Sequence, residues 1–166
     1  MKRIGAFFLA FLLLCACGAP GAQGSALEQA NRHLDTPFSL AMPAEEAEKH
    51  ATQYRYGGGF GGFTLENQDA RYMLSGYPDV LDAYHVTEIR LLSTKYHIFG
   101  VTLYDELQDA LEAFQSYGFT EDESRSEDTR LVMTNENVEL ILEASEGILN
   151  GLRIGVIATN VEGVDF

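Results

Sequence analysis

Two cysteines, Cys15 and Cys17, carry the most readily assigned chemistry in this chain, and both lie near its start. Lys2 and Arg3 form a short basic segment, and an apolar run from Ile4 to Leu14 leads to the thiols. A basic start, an apolar middle and a small-residue end are typical of a secretory signal, which the mature protein loses. The apolar run is also shorter than the about 20 residues that a membrane-spanning helix needs. The thiols therefore lie at a predicted cleavage site.

Cys17 resembles the acceptor cysteine of bacterial lipoproteins. Leu14 and Ala16 stand three and one residues before it, which is similar to the lipobox of that class. The resemblance implies that the Cys17 thiol takes a diacylglycerol and that residues 1–16 are then removed. Two or more acyl chains hold a protein stably at a membrane, at about 0.8 kcal/mol per buried CH₂. The expected location is the extracytoplasmic face of the cell membrane or outer membrane.

Three alternatives stay open for this segment. Cys15 is a rival acceptor, although the large residue Leu14 precedes it directly. An ordinary secretory signal would instead be cut near Ala22 or Gly24, and a retained membrane helix is the third alternative. If Cys17 is lipidated, the mature domain has no thiol left for a disulfide. Its core must then stabilise the fold unaided.

The chain is strongly acidic, with 25 Asp and Glu against 11 Lys and Arg and a net charge of −14. Removal of Lys2 and Arg3 with the signal leaves a net charge of −16. Proteins bind phosphate backbones through Lys and Arg, so the composition argues against nucleic acid as a partner. The acidity favours a soluble surface that attracts cationic partners.

The histidines and acids match no catalytic or metal-binding motif. His33, His50, His85 and His97 are scattered, without an H-E-x-x-H pair or a Cys/His cluster. No Gly-x-Ser-x-Gly elbow is present. We therefore predict no catalytic residue, no metal and no cofactor. An envelope hydrolase that joins His85 or His97 to two carboxylates stays open as an alternative.

Aromatic residues lie in and around a glycine-rich stretch at 55–63, which reads R-Y-G-G-G-F-G-G-F. The stretch lacks the Gly-Lys-Ser/Thr ending of a phosphate loop, so it predicts a mobile loop or a strand entry. Aromatics are enriched at recognition surfaces. The candidate contact residues, for which a place in the core is the alternative, are Tyr54, Tyr56, Phe60, Phe63 and Tyr77. The acidic run from Glu121 to Asp128 lacks the central Gly of a calcium loop and predicts a solvated loop.

Two segments have the apolar spacing of amphipathic helices. The first, Leu103 to Gln115, has Thr102 as its predicted cap and Asp105 as the acidic member of a capping box. The second, Pro43 to Tyr54, has Pro43 at the first helical position and His50 on its predicted inner face. The two segments align at an offset of about 60 residues, which suggests an internal repeat.

The strands that follow align at similar offsets. Arg71–Leu74 matches Arg130–Met133, and Val86–Leu91 matches Leu149–Ile154. The remaining predicted strands are residues 63–65, 138–143 and 148–158, with a hairpin turn at Glu146-Gly147. The fold class is α+β, with tandem units of a helix and about three antiparallel strands, and with the helices packed on one sheet. The predicted divisions are a signal peptide (1–16), a lipidated cysteine with a flexible tether (17–35), and units at 36–93 and 94–166.

The stretch from Tyr96 to Leu107, Y-H-I-F-G-V-T-L-Y-D-E-L, is a strand that ends in Gly and leads to a helix. It resembles the units of the beta-lactamase inhibitor protein fold and of the SmpA/OmlA family of small outer-membrane lipoproteins. Gly100-Val101-Thr102 is similar to their Gly-apolar-Thr helix entry. The resemblance covers Phe38 to Ala158, mainly as pattern, and the inhibitor family carries disulfides that this chain cannot make. Both families bind other proteins through sheet or loop surfaces, which implies a binding module.

The sequence thus predicts a membrane-anchored extracytoplasmic lipoprotein that binds a protein or ligand without catalysis. The expected partners are the membrane, through the lipid, and an envelope protein. Besides the hydrolase, a sensor or carrier that binds a small cation or peptide on an acidic face stays open.

Growth with labelled palmitate tests the anchor. We expect the wild-type protein and the Cys15→Ala variant to incorporate label, and the Cys17→Ala variant to incorporate none, because the thiol at Cys17 is the predicted acceptor. Equal labelling of wild type and Cys17→Ala would disprove the lipoprotein prediction.

Overall fold

The computed structural model describes residues 25–56, 63–75 and 84–157. Within these ranges lie three helices: α1 (Ala26–Arg32), α2 (Ala44–Glu48) and α3 (Leu107–Ser116). The same ranges contain ten strands: β1 (Leu34–Asp35), β2 (Gln53–Tyr56), β3 (Phe63–Glu66), β4 (Ala70–Ser75), β5 (His85–Leu91), β6 (His97–Ile98), β7 (Thr120–Glu121), β8 (Arg130–Asn135), β9 (Val138–Ser145) and β10 (Ile148–Val156).

Eight of these strands form one antiparallel sheet in the order β2-β3-β4-β5-β10-β9-β8-β7, and β1 pairs with β6 separately. Strands β5 and β10 pair at the centre of this sheet, where Ile89 lies opposite Ile154 and Arg90 lies opposite Arg153. The turn at Glu146-Gly147 joins β9 to β10, as predicted, with φ of 54° and 79°. Helices and antiparallel sheet confirm the α+β class, with more strand than helix.

One face of this sheet forms the core. In β9, Val138, Leu140 and Leu142 are fully buried, as the two-residue period of a half-buried strand predicts. Each helix adds buried residues to the same apolar cluster, among them Ala30, Ala47 and Phe114. Full burial of a side chain such as Leu contributes about 1.5–3 kcal/mol, so this cluster is the main source of stability in a domain without disulfides.

Helix α3 starts at Leu107, four residues later than predicted. Asp105 accepts the Thr102 backbone N–H at 2.8 Å, as one half of the predicted capping box requires. The Thr102 hydroxyl instead donates to the Tyr96 carbonyl at 2.8 Å, so the predicted cap at Thr102 is wrong. The helix nevertheless begins later, because the backbone before it bonds to β10. The Tyr104 N–H donates to the Leu149 carbonyl at 2.8 Å, and the Leu149 N–H donates to the Asp105 backbone carbonyl at 3.0 Å. The N-cap position passes to Glu106.

Helix α2 ends at Glu48, so the predicted helix from Pro43 to Tyr54 is wrong in its second half. The chain turns after α2 and pairs with β3, beginning where the Thr52 N–H donates to the Glu66 carbonyl at 2.9 Å. Residues 53–56 are therefore strand β2. His50 follows the helix and is exposed, with its ring edge against Phe38 at a centroid distance of 5.6 Å.

Ordered structure begins before the predicted unit boundary at residue 36. Helix α1 and strand β1 occupy residues 26–35 of the segment predicted as a tether, and Ala26 and Ala30 are buried. The Asn31 side chain bonds both the N–H and the carbonyl of Leu40, at 2.8 and 3.0 Å, which docks α1 on the domain. Cys17 and residues 18–24 lie outside the described residues. Among the helices that are described, none is long and apolar enough to cross a membrane.

The strand order corrects one of the predicted alignments. Strand β4 is the third strand after α2, whereas β8 is the second strand after α3. The alignment of Arg71–Leu74 with Arg130–Met133 therefore matches strands at different positions in the sheet. Four strands follow each of these helices in the eight-stranded sheet, where about three were predicted.

Replacement of Phe114 by Ala tests the core. Phe114 is fully buried in α3, so we expect Phe114→Ala to lower the free energy of unfolding by about 3–5 kcal/mol. Gln115→Ala, at an exposed site on the same helix, should change it by less than about 0.5 kcal/mol. Urea unfolding followed by circular dichroism measures both, and equal effects would contradict this core.

Candidate functional site

The sheet face opposite the core carries a cross-strand row of arginines. Arg71 of β4, Arg90 of β5 and Arg153 of β10 are direct neighbours across the strands, so their side chains share one face. Arg130 of β8 lies opposite Glu143 of β9 on that face. We call this surface the arginine face; it comprises Arg71, Arg90, Arg130, Arg153, Glu66, Glu88, Glu139 and Glu143.

The charge of the arginine face differs from that of the whole chain. Four arginines and four glutamates balance there, in a protein of net charge −14. A further arginine, Arg125, reaches the face from the β7–β8 loop, where its side chain donates to Glu139. Among the arginines whose side chains are described, this leaves only Arg32, on α1, away from the face. The face is therefore close to neutral, and the side chains of Arg71 and Arg90 are partly exposed on it.

Two arginines share one carboxylate at the centre of the face. Arg153 donates from Nη2 to Glu143 Oε1 at 2.9 Å, and Arg90 donates from Nη2 to Glu143 Oε2 at 3.3 Å. Arg153 Nη1 also lies 3.9 Å from Glu88 Oε1. The Arg153 Nε is buried and has no hydrogen-bond partner among the described residues. The centre thus has more donor capacity than its carboxylates use.

Gly151 makes room for this shared carboxylate. A Cβ at position 151 would lie 3.0 Å from the Cβ and Cδ of Glu143 and closer still to its Oε2. The register of β10 shifts between Leu149 and Gly151, which brings Gly151 opposite Glu143. The missing side chain therefore lets the Glu143 carboxyl lie across β10 towards Arg90 and Arg153.

Glu88 is the ionisable group of the face with a perturbed pKa. Burial among the strands raises its pKa above the usual value, and the negative charge of Glu139 adds to the effect. The Arg153 guanidinium opposes the shift without cancelling it. Ionised Glu88 is therefore less well solvated in the folded protein than in the unfolded chain.

The β7–β8 loop, residues 122–129, covers one side of the arginine face. Val132 and Ile141, which alternate with core residues, are buried on this face. The Arg125 side chain donates to Glu139 at 2.6 Å, and the Ser126 hydroxyl accepts the Val132 N–H at 3.1 Å. Most loop residues are exposed, as predicted for the acidic run, but the loop also fixes one boundary of the face.

Beside this loop the face contains a cavity, and further along it an exposed apolar side chain. The cavity has a volume of about 380 Å³, and among its lining residues are Glu127, Arg130, Glu143 and Asn150. Met73, 41% exposed, lies opposite Glu88 across β4 and β5. The face therefore offers charge, a recess and an apolar contact on one surface.

Three of the five predicted aromatic contact residues lie in strands at the edge of the sheet. Tyr54 and Tyr56 are in β2, the edge strand, and Phe63 is in the neighbouring β3. The side chains of these three residues, and the whole of Phe60 and Tyr77, lie outside the described part of the structure. Their binding role stays a prediction. The arginine face was missed, although the repeat alignment had already matched Arg90 with Arg153.

The histidines lie in different parts of the fold. His85 is in β5 of the large sheet, and His97 is in β6 of the two-stranded sheet, with Nδ1 3.4 Å from Asp35 Oδ2. His33 packs against Phe99 and Tyr117. Within the described ranges, no three His, Cys, Asp or Glu side chains are grouped to hold a metal ion.

Comparison of the chain with protein-family models, with curated proteins and with solved structures finds no match.

Replacement of Glu88 by Gln tests the electrostatics of the face. At a pH above the raised pKa, Glu88 is ionised in both the folded and the unfolded state, and the folded state bears the cost of desolvating the charge. At a pH below the ordinary pKa, Glu88 is protonated in both states and this cost vanishes. Glu88→Gln should therefore raise the free energy of unfolding at about pH 8, and the gain should shrink as the pH falls to about 4.

Urea titrations at the two pH values measure this difference. Glu112→Gln, on the exposed side of α3, is the matched control and should show no comparable gain. A Glu88→Gln variant that is less stable than wild type at about pH 8 would contradict this assignment.

Proposed function

We propose that this protein is a membrane-anchored extracytoplasmic lipoprotein that binds a protein partner through the arginine face. The observation that carries the proposal is the concentration of arginines on one open sheet face of a strongly acidic chain. Arg and Met are enriched at protein interfaces relative to the rest of the surface. A planar guanidinium also pairs with carboxylates in a fixed two-bond geometry that gives specificity.

The partner surface is inferred to carry carboxylates. Arg90 shares its only described carboxylate with Arg153. The Arg90 side chain is 36% exposed, so its remaining N–H groups are accessible from solvent. Met73 and the 380 Å³ cavity supply shape and apolar contact beside these charges. Recognition, and not reaction, is the function that these groups suit best.

We further infer that the binding face spans two tandem units. One consists of α2 with β2 to β5, and the other of α3 with β7 to β10. The units would join where β5 and β10 pair, and the aligned residues Arg90 and Arg153 lie directly opposite each other there. Core residues contributed by α2 and α3 support an arrangement in which both helices pack on the one sheet. The partner would then contact both units at once.

The lipid anchor would hold this face close to the membrane. Seven residues lie between Cys17 and Ser25, where the described domain begins, so eight Cα–Cα steps join the two. A fully extended segment of that length spans at most about 29 Å. The partner is therefore expected to be another envelope component within reach of the same membrane surface.

Site-specific photo-crosslinking in intact cells tests the proposed interface. A photoreactive residue at Met73, on the face, should give a crosslinked product, whereas one at Glu46, exposed on α2, should not. Arg90→Glu should abolish the Met73 product, because it reverses the charge at the centre. Arg32→Glu, which makes the same charge change on α1, should leave it intact.

Products of equal yield from Met73 and Glu46, or a Met73 product that survives Arg90→Glu, would disprove the arginine face as the interface. The palmitate experiment tests the anchor separately, so either part of the proposal can fail alone.

A further inference from the structure

A second polar cavity lies at the end of the domain where the chain emerges. It has a volume of about 430 Å³ and is formed by the start of α1, the end of α3 and the β8–β9 turn. This volume is in the range of small-molecule sites in proteins. The cavity shares no lining residue with the one on the arginine face.

The walls of this cavity are polar, and Glu136 supplies their carboxylate. The amides of Gln29, Gln115 and Asn135 and the hydroxyl of Ser116 also line it, and each of these groups can accept as well as donate a hydrogen bond. Among the described residues, no Lys, Arg or His lines the cavity. The ten-residue helix α3 also ends here, and a helix C-terminus carries about half a negative charge. The potential inside the cavity is therefore negative, which favours a cationic ligand.

Glu136 is held in position with part of its carboxylate free. Its backbone lies in the turn after β8 with a φ of 51°, and its Oε2 accepts the Ala26 N–H at 3.0 Å. Within the described ranges, no hydrogen bond to its other oxygen is found. The start of α1 thus orients the carboxylate, and one oxygen stays available for a donor in the cavity.

The end of α3 is fixed by a glycine and an amide. Gly118 has a φ of 87°, and a Cβ there would lie 3.3 Å from the Asn135 Nδ2. That Nδ2 donates to the Tyr117 carbonyl at 3.1 Å, so the amide nitrogen of Asn135 is engaged with the helix end. Its carbonyl oxygen remains as an acceptor. The wall is therefore set by tertiary contacts before any ligand binds.

We propose that this cavity binds a primary ammonium group. Such a group offers three N–H donors to the surrounding oxygens and a charge that matches Glu136 and the helix end. Quaternary ammonium groups are recognised instead by open aromatic faces. The ring of Tyr117, the aromatic side chain in the lining, already packs against His33 and Phe99 at centroid distances of 4.7 Å. The cavity thus suits a primary amine better than a choline group.

The ammonium group can come from a membrane lipid or from a soluble amine. Ala26 lines the cavity and follows directly on the segment that leads back to Cys17. With the proposed anchor in place, that segment keeps the cavity within about 29 Å of the acyl chains. The lipid source rests on the proposed function, whereas the chemistry of the cavity does not.

Titration of the purified protein with ethanolamine, followed by NMR, tests the cavity. We expect saturable shifts at residues 115–118 and 135–136, and binding of choline at least about tenfold weaker. Glu136→Gln should weaken ethanolamine binding by about tenfold or more, because a hydrogen bond to a charged group is lost. The Gln side chain still accepts the Ala26 N–H, so the docking of α1 is kept.

Two further variants separate binding from folding. Gln115→Lys places a cation at the exposed end of α3 and should also abolish binding, with an unchanged unfolding midpoint. Glu123→Gln, in the exposed β7–β8 loop, removes the same charge as Glu136→Gln and should bind like wild type. The inference is overturned if ethanolamine does not bind, or if Glu136→Gln and Gln115→Lys both bind it like wild type.

Vesicles distinguish the two sources in the Cys17→Ala protein, which lacks the proposed acceptor thiol. Binding to phosphatidylethanolamine vesicles but not to phosphatidylcholine vesicles would identify the lipid headgroup. Binding of free ethanolamine but of neither vesicle would identify a soluble amine. Loss of the anchor proposal in the palmitate experiment would leave the ethanolamine result unaffected.

Discussion

The pairing of β5 with β10 is the contact on which the rest of this structure depends. It joins strands β2 to β5 to strands β7 to β10 and makes them one sheet. Because side chains alternate along a strand, the same pairing puts Ile89 and Ile154 in the core and Arg90 and Arg153 on the opposite face. A register slip of one residue would bury guanidinium groups and expose the isoleucines, so the hydrophobic core holds the arginine face in place.

The two candidate binding surfaces differ in their electrostatics within one acidic domain. At the centre of the arginine face, the Glu143 carboxylate accepts hydrogen bonds from both Arg90 and Arg153. In the cavity beside α1, the Glu136 carboxylate meets no basic side chain among the described lining residues. Each surface depends on a glycine: Gly151 leaves space for the Glu143 carboxyl, and Gly118 ends α3 in a left-handed conformation. The overall charge of −14 therefore does not describe the arginine face, where arginines and glutamates balance.

The strands of the sheet were largely predictable, whereas the candidate sites were not. Strand β9 followed from its alternation and the β9–β10 turn from Glu146-Gly147, because neighbouring residues decide both. The start of α3 was missed because Tyr104 and Asp105 bond to Leu149 of β10. Helix α2 was predicted too long because residues 53–56, which follow it, pair with β3 as strand β2. In both cases a hydrogen bond to a distant strand overrode the local helical pattern.

The sequence by itself determined what composition and local pattern decide: the acidity, the lack of a thiol beyond residue 17 and the α+β class; it also carries the prediction of a signal segment with Cys17 as lipid acceptor. Only the tertiary structure decided which charges meet. Arg90 and Glu143 are 53 residues apart, and Ala26 and Glu136 are 110 apart. Interaction at such separations depends on strand order and register, which no local pattern encodes, because the core of the whole domain selects them.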